Sequence, residues 1–469
     1  MGVGISNWRL AGAVARLGQL GVVSGTALDQ VFVRRLQDGD PGGHMRRGLD
    51  QFPIRAMAER IWREYYILGG KSQRESYTTL PMQTADSPRE FQELCIVSNF
   101  VEVILAREGH NHPVGINYLE KIQIPHLPSL YGAMLAGVAY VLMGAGIPLK
   151  IPGVIDRLAL HEPVTYPLTV TGASSGDSAH MTFSPAEFFA AGLPPLPRPN
   201  FLAIIASDVL ALTLVRKASG RVDGFVVEGP SAGGHNAPPR GKVQLSSLGE
   251  PVYGERDRVD LNKLLGLGLP VWVAGGHGSP ERLREALDSG AAGIQVGTAF
   301  ALCRESGLRA DYRRSLLDAV AAGSARVFTD PLASPTGFPF KVAAVAGSLS
   351  DDAVFQARPR ICDLGYLREA YRTPEGSVGF RCPAEPPSLF VAKGGAVEKT
   401  LGRKCICNAL MANIGHAQVR GARFIENGLI TVGDDLSGIG RFLAPNATDY
   451  TAADVVRVLL DGAERSPRS

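Results

Sequence analysis

Two glycine turns and one histidine carry the chemistry that this sequence can do. Residues 269–300, LPVWVAGGHGSPERLREALDSGAAGIQVGTAF, read as strand, glycine turn, helix, strand, glycine turn. The first turn holds Gly275 and Gly276, and the second holds Gly297 and Thr298. Neighbouring parallel strands set their C-terminal ends side by side. Two such turns expose backbone N–H groups with no Cβ in the way, as phosphate binding requires; the alternative is that the glycines only make tight turns. His235, in SAGGHNA, follows another apolar strand. An imidazole there takes or gives a proton near neutral pH, unless it is a loop histidine held by a backbone hydrogen bond. Gly233 and Gly234 before it let a flat or large ligand approach the backbone. Asn117 ends a strand and can face either a heterocycle edge or solvent. Lys121 and Gln123 are weaker candidates of the same kind. His277 sits in the first glycine turn as a phosphate contact or an exposed loop histidine. His110 and His112 flank a strand start and read as structural, and Cys303 falls on a helix, away from nucleophilic work.

The elements that must position these residues alternate. Short apolar runs ending in glycine alternate with amphipathic stretches as far as about residue 322. Counting residues 165–170 as a strand, there are about eight βα steps, which predicts an α/β fold of the TIM-type (β/α)8 barrel class. Ser279 is the expected N-cap of the helix that starts at Pro280, and Ser6 that of a first helix with Leu10, Val14 and Leu17 on its apolar face. The expected organisation is a barrel over residues 1–325, with insertions at about 29–87 and 172–200. An irregular and helical extension, 326–469, packs on it. A barrel also calls for a strand before the Gly2–Gly4 turn, so the natural start is expected upstream of Met1.

Bulk properties narrow the function. Net charge is only +3 over 469 residues, with no Lys/Arg run interleaved with aromatics, so nucleic acid is not an expected partner. The start has no basic segment or cleavage site of a signal peptide. Glycines and Pro148 break the apolar stretch 130–151 into core elements, so no membrane association is expected. Six cysteines without a CxxC pair suggest a reducing cytoplasm. Cys405 and Cys407, with Cys382 and His416 nearby in sequence, lack zinc-knuckle spacing, and no metal site is expected.

Taken together, MGVGIS at the start, GINYL at 115–119, SAGGHNA at 231–237, VAGGHG at 273–278 and GIQVGTAF at 293–300 resemble the nitronate monooxygenase family, formerly the 2-nitropropane dioxygenases. These are FMN-dependent barrels related to the flavin enoyl-ACP reductases. The resemblance implies that Gly275, Gly276, Gly297 and Thr298 hold the FMN phosphate, that Met1 and Gly2 lie against the flavin ring, and that Asn117 contacts the cofactor; Gly234 completes the expected set. It implies that His235 faces the substrate and removes a proton from nitroalkanes. The implied reaction is oxidation of alkyl nitronates by O2 to a carbonyl compound and nitrite. The alternative is NAD(P)H-dependent reduction of enoyl thioesters or quinones. The family's GTRF-like segment is GTAF here, and the insertion and long tail resemble the longer flavin barrels, so the departures concern the substrate and leave the cofactor expectation intact.

Overall fold

The computed structural model describes residues 2–173, 179–190, 192–421 and 424–465. Its centre is a sheet of seven parallel strands: β1 (Gly21–Ser24), β2 (Val114–Leu119), β3 (Tyr140–Gly144), β4 (Asn200–Ile205), β5 (Gly224–Glu228), β6 (Val271–Ala274) and β7 (Gly293–Gln295), hydrogen-bonded in that order. Side chains alternate across each strand. In β2, Val114, Ile116 and Tyr118 point out into the helical layer, while Asn117 and Leu119 point in. The same alternation brings Val22, Leu142, Leu202, Val226, Trp272 and Gln295 to one shared chamber. Every strand thus contributes to the same cavity, so the sheet is curled, and the architecture is an α/β barrel. Leu142, Leu202, Val226 and Ala274 fill its floor as a small inner core. The larger core lies between strands and helices.

One step of the sequence count is corrected. Residues 165–170 do not join the barrel: Val164–Leu168 pairs antiparallel with Ala179–Phe183, and β3 lies directly beside β4. Val164, Tyr166 and Leu168 are buried while Thr165 and Pro167 are exposed. That alternation belongs to a hairpin with one wet face; a parallel barrel strand is apolar on both faces. Within 172–200, residues 174–178 and 191 lie outside the described residues.

The helix at Pro280–Asp288 begins as its sequence predicts, with the Ser279 hydroxyl accepting the Arg282 N–H. The first helix, Trp8–Arg16, is capped by Asn7, whose side chain accepts from Arg9 N and Leu10 N. Ser6 instead donates to Val22 O across to β1. Leu28–Gln37 is a helix that periodicity misses, because Asp29, Gln30, Arg34 and Gln37 are buried on it alongside its apolar residues.

Beyond residue 326 the chain returns to the barrel mouth. Val327–Asp330 pairs with Phe340–Ala343, and the helix Ala452–Arg465 packs on Pro280–Asp288 and Trp8–Arg16. Among the described residues no helix is long and apolar enough to cross a membrane.

The helices Arg89–Ala106 and His126–Leu135 meet at backbone distance. A Cβ on Gly132 would stand 2.1 Å from Ile96 O. Gly132→Ala is therefore expected to lower stability by about 2 kcal/mol or more through overpacking. Urea unfolding measures it, and a loss under about 0.5 kcal/mol would show that the two helices slide apart freely.

Candidate functional site

The chamber opens at the C-terminal ends of the strands, where barrel sites form. It measures about 790 Å³. One end is walled by backbone. Gly275 and Gly276, after β6, have φ of 86° and 70°, the left-handed region in which glycine alone is unstrained. A Cβ on Gly275 would stand 3.1 Å from Ala232 N, Gly229 O and Ser231 Oγ. Gly297 precedes the short helix Thr298–Ala301. Thr298 is buried, and its hydroxyl oxygen accepts the Gly433 N–H at 2.9 Å, which leaves its own proton free to donate. Next to Gly276 the N-terminus of Pro280–Asp288 adds its positive dipole end. The His277 ring nitrogen Nδ1 lies 2.7 Å from Gly275 O, bracing this turn.

His235 stands on the loop after β5 and lines the same chamber. Its Nε2 is 2.6 Å from the Ser334 hydroxyl, which in turn meets the Thr336 hydroxyl at 2.8 Å. The ring stands edge-on to Phe340, with centroids 4.9 Å apart. Nδ1 has no hydrogen-bond partner among the described residues. Burial first, and the charge of Lys121 second, hold the imidazole pKa down to about 3, so the free ring is neutral. Its accessible surface is chamber wall.

Gly233 and Gly234 have different duties. A Cβ on Gly233 would meet Val432 C at 2.8 Å, so this glycine answers to protein backbone and not to a ligand. Gly234, at φ 85°, faces the chamber, and its N–H donates to Thr431 Oγ1 at 2.7 Å. Asn236, also on the wall, donates to Ala232 O, while its buried Oδ1 has no partner among the described residues. Asn117 is buried on the inner face of β2 with only a long contact to Leu142 O, 3.5 Å. Gly2 lines the chamber; Met1 lies outside the described residues.

Other candidates go elsewhere. Gln123 bridges Glu120 and the Thr169 N–H, a structural role. His110 is tied to Ala106 O. Cys303 is buried, with its thiol donating to Phe300 O and its pKa pushed up by burial, the reverse of an activated nucleophile. Among the described residues no group of three or more His, Cys, Asp or Glu side chains is arranged to hold a metal ion.

Sequence reading missed Glu228 and the whole far wall. Glu228 ends β5 on the inner face, two residues after Val226; burial pushes its carboxyl up to about 7. Strand period alone marks it as inward-facing. The far wall comes from the extension: Phe338, Tyr366, Cys407, Met411 and their neighbours. The Tyr366 hydroxyl donates to buried Asp29 at 2.5 Å, locking that wall to the helix Leu28–Gln37. No local pattern in those segments points at a barrel some hundred residues upstream.

The family model described as nitronate monooxygenase matches residues 200–327, which hold β4 to β7 with both glycine turns and His235. A nitronate monooxygenase of Pseudomonas aeruginosa is 29% identical over 268 residues, 55% of this chain and 68% of that protein. An octahydroindene-carboxyl-CoA dehydrogenase of Mycobacterium tuberculosis is 31% identical over 123 residues, 26% of this chain and 31% of that protein. Among solved structures, a nitroalkane oxidase from Streptomyces ansochromogenes aligns over 99% of this chain and 94% of its own at 16% identity and a TM-score of 0.48. At that score the alignment adds no weight to the sequence matches.

A neutral buried histidine makes stability depend on pH. Its folded pKa lies below the unfolded value of 6.5, so its stabilising contribution is complete above pH 6.5 and is lost as pH falls toward 3. In urea titrations the stability difference between the native chain and His235→Asn is expected to shrink by roughly 2 kcal/mol between pH 7 and pH 4, a figure reduced for water in the chamber. Parallel pH profiles would show that His235 is solvated in the folded state. The match of β4 to β7, glycine turns and GGH loop included, and the longer match to the Pseudomonas enzyme carry one conclusion: this part of the chain is similar to nitronate monooxygenases.

Proposed function

We propose that the chain binds FMN at the strand ends and oxidises alkyl nitronates with O2 to a carbonyl compound and nitrite. The observation that carries this reading is the single chamber onto which the two glycine turns and His235 all open. The residues suit the cofactor. The left-handed turn at Gly275 and Gly276 lines the chamber beside a helix N-terminus, and with Gly297 and the free hydroxyl proton of Thr298 it would hold the phosphate. Asn236 Oδ1 is a buried acceptor waiting for a donor. Gly234, Asn117, Gly2 and Met1 would complete the contacts to the ring system. Bound there, FMN supplies the electron-accepting and oxygen chemistry.

The chain's own residues do the rest. The apolar wall from the extension excludes water and turns the small substrate toward the glycine-lined face. His235 takes the α-proton of a neutral nitroalkane at the ring nitrogen left without a protein partner, while Ser334 holds the other nitrogen and fixes the ring. A nitronate already lacks that proton and does not need this step.

The aromatic and aliphatic far wall favours one other reading. It suits NAD(P)H-dependent reduction of enoyl thioesters or quinones, and one sequence relative is a carboxyl-CoA dehydrogenase.

Anaerobic flavin spectra decide between them. Bleaching of FMN-loaded protein by propyl-2-nitronate but not by NADPH or NADH is the expected result; rapid bleaching by nicotinamide alone would replace the nitronate reading with the reductase. His235→Asn is expected to keep FMN and to slow turnover of neutral nitroalkane by roughly 10²–10⁴-fold. Unchanged turnover would remove His235 from the mechanism.

A further inference from the structure

The seven strands curl around the chamber without meeting. β1 and β7 each hydrogen-bond to one neighbour, and among the described residues no ladder joins them to each other. The lining of the chamber shows what lies between them. Gln295 lines it from the inner face of β7, level with Ala274. Ile294 points the other way and packs on the helices outside, yet it lines the same chamber. So do Leu10 and Val14 of the helix Trp8–Arg16, Leu283 of Pro280–Asp288 and Leu459 of Ala452–Arg465. Side chains from both faces of a wall reach one cavity only where the wall is open. The opening lies between β7 and β1, and these helices roof it.

Both edges of the opening carry unpaired backbone. Gly25 N donates to Asn117 O, so the period of two turns Val23 toward β2 and turns Val22 and Ser24 toward the opening. Ser24 N donates to Ser6 O, and Val22 O accepts the Ser6 hydroxyl. The Val22 N–H has no partner among the described residues. On the other side, Ala274 O accepts the Gly229 N–H, so β6 gives its even-numbered residues to β5, and Val271 and Val273 to β7. Gly293 and Gln295 answer them, which turns the Ile294 N–H into the opening, again with no partner among the described residues. Buried backbone donors are almost always paired, and a barrel pairs them by closing its sheet. Leu10, Val14, Leu283 and Leu459 are buried and apolar, so water is a poor substitute partner there.

We infer that this opening seats one further parallel strand, formed by polypeptide that directly precedes Met1. The longer stretches outside the described residues do not suit it: 174–178 read SSGDS and 466–469 read SPRS, short and polar. The place of the first residues selects the upstream polypeptide. Gly2 lines the chamber and Ser6 bonds to the C-terminal half of β1, so residues 2–6 cross that end of the opening. A strand parallel to β1 that ends there runs on into the Gly2–Gly4 turn and the helix Trp8–Arg16. That is the strand-turn-helix unit the rest of the barrel repeats. Its neighbours set its length, with four residues in β1 and three in β7. One of its faces meets the chamber and the other meets the leucines of the helices. It is therefore an uncharged, continuous apolar run of about four residues. The inference is independent of the substrate.

The test compares the protein as its own cells make it with the 469-residue chain started at Met1. Intact mass and amino-terminal sequencing of the native protein are expected to show added residues, with such a run ending within about six residues of Met1. Hydrogen exchange resolved to single amides is expected to be slower at Val22 and Ile294 by roughly 100-fold in the native protein than in the 469-residue chain. A native protein that begins at Met1 overturns the inference, and protection of both amides in it would mean that another occupant holds the opening. Added residues that are polar or charged overturn it, as does free exchange of both amides in the native protein. If the 469-residue chain does not fold, the native protein decides alone. Proline at the centre of the added run is then expected to free Val22 and Ile294 and to leave Leu142, inside the sheet, protected. Equal release of all three, or of none, overturns the inference.

Discussion

The structure depends on one close backbone approach at the barrel rim. The loop after β5 and the segment around Gly433 lie against each other with no room for side chains: a Cβ on Gly233 would meet Val432, and one on Gly433 would stand 2.7 Å from Ser231 O. Hydrogen bonds close the seam from both sides. Gly234 N donates to Thr431 Oγ1, Gly433 N to Thr298 Oγ1, Asp434 N to Ser231 O, and Lys341 N to Gly234 O. Three functional pieces meet there: the histidine loop, the glycine turn before Thr298, and the strand Phe340–Ala343. The seam sets the distance between the glycine-lined end of the chamber and its apolar far wall.

The seam also explains why a chain of this length has a site so enclosed. In a bare barrel the loops at the strand ends face water. Here Phe338, Phe340 and the residues around Tyr366 and Met411 cover them. Covering lowers the effective dielectric, and burial disfavours charge. His235 is held neutral, Glu228 is raised, and Lys121 is lowered.

Much of the fold was legible from local pattern. The turn at Gly275 and Gly276, the Ser279 cap and the helix to Asp288 follow from a short apolar run, two glycines and a Ser-Pro pair, all within twenty residues. Local pattern failed where burial and polarity conflict. The hairpin strand Val164–Leu168 passes for a barrel strand if its alternation is ignored, and the helix Leu28–Gln37 is hidden by polar side chains that find partners inside the protein. Arg34, for one, reaches the carbonyl of His416. Asn7 replaces Ser6 as a cap because the Ser6 hydroxyl is drawn to β1, a tertiary contact that no helix rule contains.

The sequence by itself determined the glycine turns, the histidine loop and the helix between the two turns, because each rests on interactions between residues close in the chain. Only the tertiary structure decided that Gly233 serves a backbone seam and that Tyr366 and Met411 wall the chamber. Those outcomes rest on contacts between segments more than a hundred residues apart. Shape and desolvation choose such partners, and neither is written in the local alternation of polar and apolar residues.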